Sequence, residues 1–339
     1  MTTARWPAAT GRGARVVALG GGHGLSATLR ALRHVSSELT AVVTVADDGG
    51  SSGRLRHELG KLPPGDLRMA LAALCDDSEW GLTWRDVLQH RFHSTGPLDG
   101  HALGNLLIVA LWDLLGDEVA GLDWVGQLLG ARGRVLPMAA VPLDIEAQVQ
   151  LAGAENHRTV RGQSRVAVTS GVITHVRLIP EDPPAHPEAV RAVRAADWVV
   201  LGPGSWYTSV IPHLLVPELA EALAETPARR ALTLNLSTQA GETEGMSASD
   251  HLFTLREHAP QLRRDVVIAD PAAVDDIDGL IAAARELDAK VLLRQVAAGD
   301  GTPRHDALRL AAAYRDAFDG VLGDVGEDTA DGGPERDRP

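Results

Sequence analysis

Residues Ala46 to Arg56 read Ala-Asp-Asp-Gly-Gly-Ser-Ser-Gly-Arg-Leu-Arg. They follow the apolar, β-branched run Thr40–Val45 and lead into Leu55–Leu59, which reads as a helix. Carboxylates, glycines and hydroxyls therefore sit where a strand ends and a helix begins, the edge at which open α/β sheets bind ligands. The backbone around Gly50, the hydroxyls of Ser51 and Ser52 and the Arg54 guanidinium suit a phosphate. Asp47 and Asp48 suit ribose hydroxyls or a hard cation such as Mg²⁺, so both are candidate metal ligands. One of the pair has a structural alternative as an Asx or helix cap. Together these residues point to a phosphorylated ligand.

Five further segments carry comparable chemistry. Gly20-Gly21-Gly22-His23-Gly24 follows an apolar strand and opens a helix, and Gly22-x-Gly24-x-x-Ala27 fits a dinucleotide-type phosphate turn. There the helix N-terminus supplies unpaired N–H donors. His23 either touches the phosphate or faces solvent. In Pro63–Arg68, Asp66 is placed as an N-cap or a ligand, and Arg68 lies two residues inside the next helix. His101 and Asn105 are spaced i, i+4 and share a helix face, lining a cleft or sitting satisfied in the core. Gly202-Pro203-Gly204-Ser205-Trp206-Tyr207 is a rigid loop after a strand. Its Ser205 hydroxyl suits phosphate or sugar, and Tyr207 is placed to stack on a base or sugar. Asn235, Thr238 and Gln239 offer amides and a hydroxyl to a sugar or base edge.

These loops require strands to hold them. Apolar runs at Arg15–Leu19, Thr40–Ala46, Trp198–Gly202, Ala231–Leu236, Asp265–Ala269 and Lys290–Gln295 alternate with helical periods. That is the pattern of an α/β fold with a mostly parallel sheet and helices on both faces. Residues 134–180 differ. They hold alternating runs, with Ser170-Gly171 between two of them, and predict a small antiparallel insert with a hairpin at that dipeptide. One domain over 15–320 is expected, between a loose leader (1–14) and an acidic, Gly- and Pro-rich tail (321–339) expected to be disordered.

Composition sets the outer limits. The balance of 32 basic and 45 acidic residues gives a formal charge of −13, which argues against a nucleic-acid coat. An anionic ligand must then be held by local arginines and backbone. The single cysteine, Cys75, excludes an intramolecular disulfide and a thiolate zinc site. The longest apolar run, Leu106–Trp112, is shorter than the ~20 residues of a spanning helix. No membrane insertion and a cytoplasmic location are expected. The spacing of Asp47 after the first glycine turn also fits an NAD-type protein, but that reading needs one acid and no second phosphate loop.

Taken together, Gly20–Ser26, Ala46–Arg56, Pro63–Arg68, Gly100–Leu107, Leu201–Leu214 and Asn235–His258 resemble the YvcK group of the CofD-like superfamily, the gluconeogenesis factors. The resemblance spans roughly Arg15 to Phe318. It implies a Rossmann-like fold and a nucleotide-sugar ligand, UDP-glucose or UDP-N-acetylglucosamine. It also implies a regulatory role in cell shape and wall synthesis under gluconeogenic growth, without established catalysis. An unidentified protein partner is implied, and a homodimer is admitted. The similar CofD branch is catalytic, a Mg-dependent transferase moving a phospholactyl group from a guanosine diphosphate donor, and Asp47 and Asp48 correspond to its metal region. His23, Met69, Trp206 and His213 depart from the usual YvcK residues Thr, Asn, Leu and Asn.

Overall fold

The computed structural model describes residues 13–151, 157–239 and 241–321. The leader and tail anticipated from composition lie almost wholly outside the described residues. The described residues form ten strands: β1 (Arg15–Gly20), β2 (Glu38–Val43), β3 (Arg134–Pro137), β4 (Asp144–Gln150), β5 (His157–Arg161), β6 (Val172–Ile179), β7 (Trp198–Leu201), β8 (Arg229–Thr233), β9 (Val266–Ala269) and β10 (Lys290–Leu293). Seven of them make one sheet in the order β10-β9-β8-β7-β1-β2-β3, with every pairing parallel. Helices cover both faces, so its strands read as unbroken apolar runs rather than alternating ones. All four residues of β9, Val-Val-Ile-Ala, are buried, as are those of β7, Trp-Val-Val-Leu. The chain runs outward from β1 through β2 and β3 on one side and from β7 to β10 on the other. The order therefore reverses between β1 and β7, and at such a switch point the loops diverge and leave a crevice.

Five helices concern the site: α1 (Gly22–Leu32), α2 (Gly50–Leu59), α3 (Gly65–Leu74), α4 (Glu79–Gln89) and α5 (Leu103–Leu115). Helix α1 packs on α3 and on the C-terminal helix Ala307–Asp319. Helix α2 starts at Gly50 rather than near Arg54, which carries Ser51 and Ser52 into its buried first turn. Helix α4 and the helix Ile277–Glu286 were not anticipated, although each has a side-chain cap, Ser78 accepting from Gly81 N and Asp276 from Gly279 N. No described helix is long and apolar enough to cross a membrane.

The segment 134–180 corrects the sequence expectation in two places. Arg134–Pro137 pairs parallel with β2 and closes the main sheet. The antiparallel sheet is β5-β4-β6, and the partner of β6 is the distant β4 rather than the run before Ser170-Gly171. That run, Val166–Thr169, instead starts on the buried last residue of a short helix, Gln163–Val166, and continues as a turn. Alternation alone cannot distinguish a local partner from a remote one, because either buries the same face of the strand.

Candidate functional site

At the C-terminal edge of the main sheet, the loops after β1, β7, β8 and β10 enclose a cleft of ≈ 700 Å³ together with residues of α1, α3 and the end of α4. Its lining contains Arg30, Arg68, Arg91 and Arg304, His23 and His305, and the polar residues Ser26, Gln89, Asn235, Ser237 and Gln239. Among the described residues, no aspartate or glutamate lines it. In a chain of formal charge −13 this is a local inversion of sign. It gives the cleft an attraction for anions that the molecule as a whole lacks.

The floor depends on two close backbone approaches. A Cβ on Gly24 would lie 2.2 Å from the Pro203 carbonyl oxygen and 2.6 Å from Gly204 Cα, so only glycine lets α1 reach the β7 loop. That loop is clasped to the β8 loop by one side chain. Gly204 N donates to Asn235 Oδ1 at 2.8 Å, and Asn235 Nδ2 donates to the Gly204 carbonyl at 2.9 Å. Gly202 adopts φ +68, a left-handed conformation that also favours glycine.

Arg68 is 3% exposed, and its Nε donates to Asn105 Oδ1 at 2.8 Å. Asn105 Nδ2 donates in turn to Ser51 Oγ at 3.0 Å, and Ala102 N donates to the same oxygen at 3.3 Å. With two donors received, the Ser51 hydroxyl gives its own proton to His101 Nδ1, 3.0 Å away. Burial, and secondarily the charge of Arg54, holds the His101 pKa down, consistent with a neutral ring accepting that proton. The chain from His101 to Arg68 thus fixes the guanidinium. Arg68 Nη1 is nevertheless buried without a hydrogen-bond partner among the described residues. Burial lowers the Arg68 pKa to about 10, which leaves it charged at neutral pH. A buried cationic N–H without an acceptor is under-satisfied, and a phosphate oxygen would complete it.

The two acids of the second loop separate. Asp47 Oδ1 accepts from Gly49 N at 2.9 Å, and a Cβ on Gly65 would stand 2.8 Å from Asp47 Oδ2 and 2.2 Å from Ser52 Oγ. Asp47 and Ser52 therefore face the start of α3. Asp48 turns to the short helix of the insert, where its Oδ1 accepts from Ser164 N at 2.8 Å. Asp66 closes the inner group, with Oδ2 only 2.5 Å from where a Gly21 Cβ would stand. Burial and then the charge of Asp47 raise the Asp66 pKa to about 7, against a backbone hydrogen bond from Gly22. Two carboxylates, Asp47 and Asp66, thus stand near one another. No group of three or more His, Cys, Asp or Glu fit to hold a metal ion gathers among the described residues. Asp47 and Asp48, the expected cation pair, each commit one carboxylate oxygen to a different backbone N–H, of Gly49 and Ser164 respectively.

The remaining sequence candidates divide. Gly24, Arg68, Gly204, Asn235 and Gln239 line the cleft. Gly21, Gly22 and Gly50 form the turns entering α1 and α2. Arg54 binds the carbonyls of Pro97 and Asp99 at 3.0 and 2.7 Å and so ties down an exposed loop. Tyr207 is buried and donates to the Ile173 carbonyl of β6 at 3.2 Å, so it joins the two sheets rather than offering a stacking face. Thr238 borders a narrow side hollow of ≈ 50 Å³. Ser205 Oγ accepts from Gln239 Nε2 at 3.3 Å. Sequence reasoning missed Arg30, Gln89, Arg91, Arg304 and His305, which sit in no glycine motif. It also missed Glu242, a buried acid that accepts from Tyr207 N at 3.2 Å and Thr208 Oγ1 at 2.6 Å and anchors the loop carrying Gln239.

A parallel sheet whose switch-point crevice is lined by glycine turns and arginines defines a Rossmann-like protein. The chain belongs to the CofD family: the family model described as 2-phospho-L-lactate transferase CofD matches residues 16–319. It is 54% identical over 317 residues to the “Putative gluconeogenesis factor” of Mycobacterium tuberculosis, covering 92% of this chain and 91% of the relative. It is 42% identical over 248 residues to the “Gluconeogenesis factor” of Bacillus subtilis, covering 73% and 76%. A crystal structure of a UPF0052 family member from Bacillus halodurans superposes with a TM-score of 0.78 at 36% identity, over 88% of this chain and 97% of that one.

Proposed function

We propose that this chain is a cytoplasmic regulatory protein that binds a nucleotide sugar, UDP-glucose or UDP-N-acetylglucosamine, and serves cell shape and wall synthesis under gluconeogenic growth through a protein partner. The four-arginine cleft, lined by no described aspartate or glutamate, carries the ligand reading, together with the Arg68 Nη1 that is buried without a partner among the described residues. A diphosphate presents charged acceptor oxygens suited to guanidinium donors. The relatives named gluconeogenesis factor support the biological role. The family model named for a phospholactate transferase favours a second reading, a group transfer from a nucleotide diphosphate donor. The separation of Asp47 from Asp48 weakens that reading.

Calorimetry on the whole chain decides between them. UDP-N-acetylglucosamine, UDP-glucose, GTP with Mg²⁺ and NAD are titrated in turn. Saturable binding of a UDP-sugar without added metal supports the regulatory reading. Binding confined to GTP with Mg²⁺ would replace it with the transferase.

A further inference from the structure

The polar groups of the cleft are unequally distributed between its two sides. On the α1, α3 and α4 side stand Arg30, Arg68 and Arg91, which are donors only. On the side of the β8 and β10 loops, Arg304 is paired with Asp300 at 2.7 Å, and Gln239 and His305 carry acceptor atoms. Gln239 Oε1 is buried without a partner among the described residues, while its Nε2 donates to Ser205 Oγ. His305 Nε2 is likewise buried without a partner among the described residues. Burial keeps the pKa of the His305 ring down, against a hydrogen bond to the Leu234 backbone, so the neutral ring keeps one acceptor nitrogen. Two buried acceptors without donors thus belong to one wall, and two hydroxyl groups are what that wall lacks.

Sheet topology orders these walls along a ligand. Gly24 and Gly204 line the cleft at the reversal between β1 and β7, with Arg68 in the same lining, and a diphosphate bound at that reversal would lie over them. The two halves of the ligand then extend to opposite sides of the switch point. We infer that the cleft binds its ligand in one orientation, with the glycosyl polyol on the β8/β10 side, where Gln239 and His305 accept its hydroxyls and determine specificity for a sugar. The nucleoside then lies toward Met69, Gln89 and Arg91.

This inference rests on the nucleotide-sugar reading above, and the test separates the two. UDP-N-acetylglucosamine, UDP-glucose and UDP are titrated into wild type, Gln239→Ala and His305→Ala, with melting temperatures of each ligand-free variant confirming the fold. Loss of one hydrogen bond predicts about fivefold weaker UDP-sugar binding in each variant, with UDP affinity unchanged within about twofold. Equal weakening of UDP and the UDP-sugars overturns the orientation, because the variants then touch the nucleoside or diphosphate. Unchanged affinity for all three ligands overturns the assignment of these residues. Gln239→Glu and His305→Asn, which keep an acceptor, should retain more UDP-sugar affinity than the alanine variants. If they behave as alanine, the hydroxyl-accepting role falls. Failure of wild type to bind either UDP-sugar removes the nucleotide-sugar reading itself, and the orientation with it.

Discussion

Replacing Arg68 by methionine should leave the ligand-free protein as stable as wild type or more so, while removing its response to ligand. At neutral pH the guanidinium is charged in both the folded and unfolded chain, so the whole penalty of burying it acts on the fold. Its fall from 12.5 to about 10 corresponds to about 3 kcal/mol against the charged form. Methionine fills the aliphatic stem and carries no charge. Against that relief stands the lost Nε bond, which leaves Asn105 Oδ1 buried without a donor at a cost of about 1–3 kcal/mol. The balance lies between no change and about 2 kcal/mol of added stability, and in domains of this size class 1 kcal/mol moves Tm by about 2–4 °C. A ligand at one hundred times its Kd stabilises wild type by about 2.7 kcal/mol, and this shift should vanish in Arg68→Met. Thermal melts of both proteins, with and without UDP-N-acetylglucosamine, give the two readouts together. A variant destabilised by more than about 2 kcal/mol would show that Arg68 is a structural keystone, contrary to the burial argument. A variant that keeps the full ligand shift would show that its free N–H does not meet the anion.

Two further outcomes follow from the same geometry. Asp66 has a folded pKa of about 7 against an ordinary 3.8, so the folded state holds a proton that the unfolded chain releases. Its contribution is fully present below the unfolded pKa, declines as pH rises from about 4 to 7, and is lost above that. Asp66→Asn should remove this decline and be more stable than wild type at pH 8, as read from urea midpoints across that range. Identical pH profiles in the two proteins would refute it. Gly24→Ala should destabilise by about 2–3 kcal/mol despite alanine's better helix propensity, because its Cβ meets backbone rather than a movable side chain. A variant melting with wild type would show that α1 can move away from the β7 loop freely.

What the sequence determined was local. Apolar runs bounded by glycine reveal strands buried on both faces, and glycines with hydroxyls at their ends reveal the edge that binds, because each signal is complete within about ten residues. Tertiary structure decided which side chains share the cleft. Asp47 and Asp48 are adjacent in the chain yet serve different neighbours, α3 and the insert, since consecutive residues of a non-helical segment leave it in different directions. Arg91, Arg304 and His305 have no motif, and the folded chain alone brings them beside Gly24 and Arg68. The partner of β6 was equally hidden, because the alternating pattern of a strand records which of its faces is buried and leaves unrecorded which strand lies beside it.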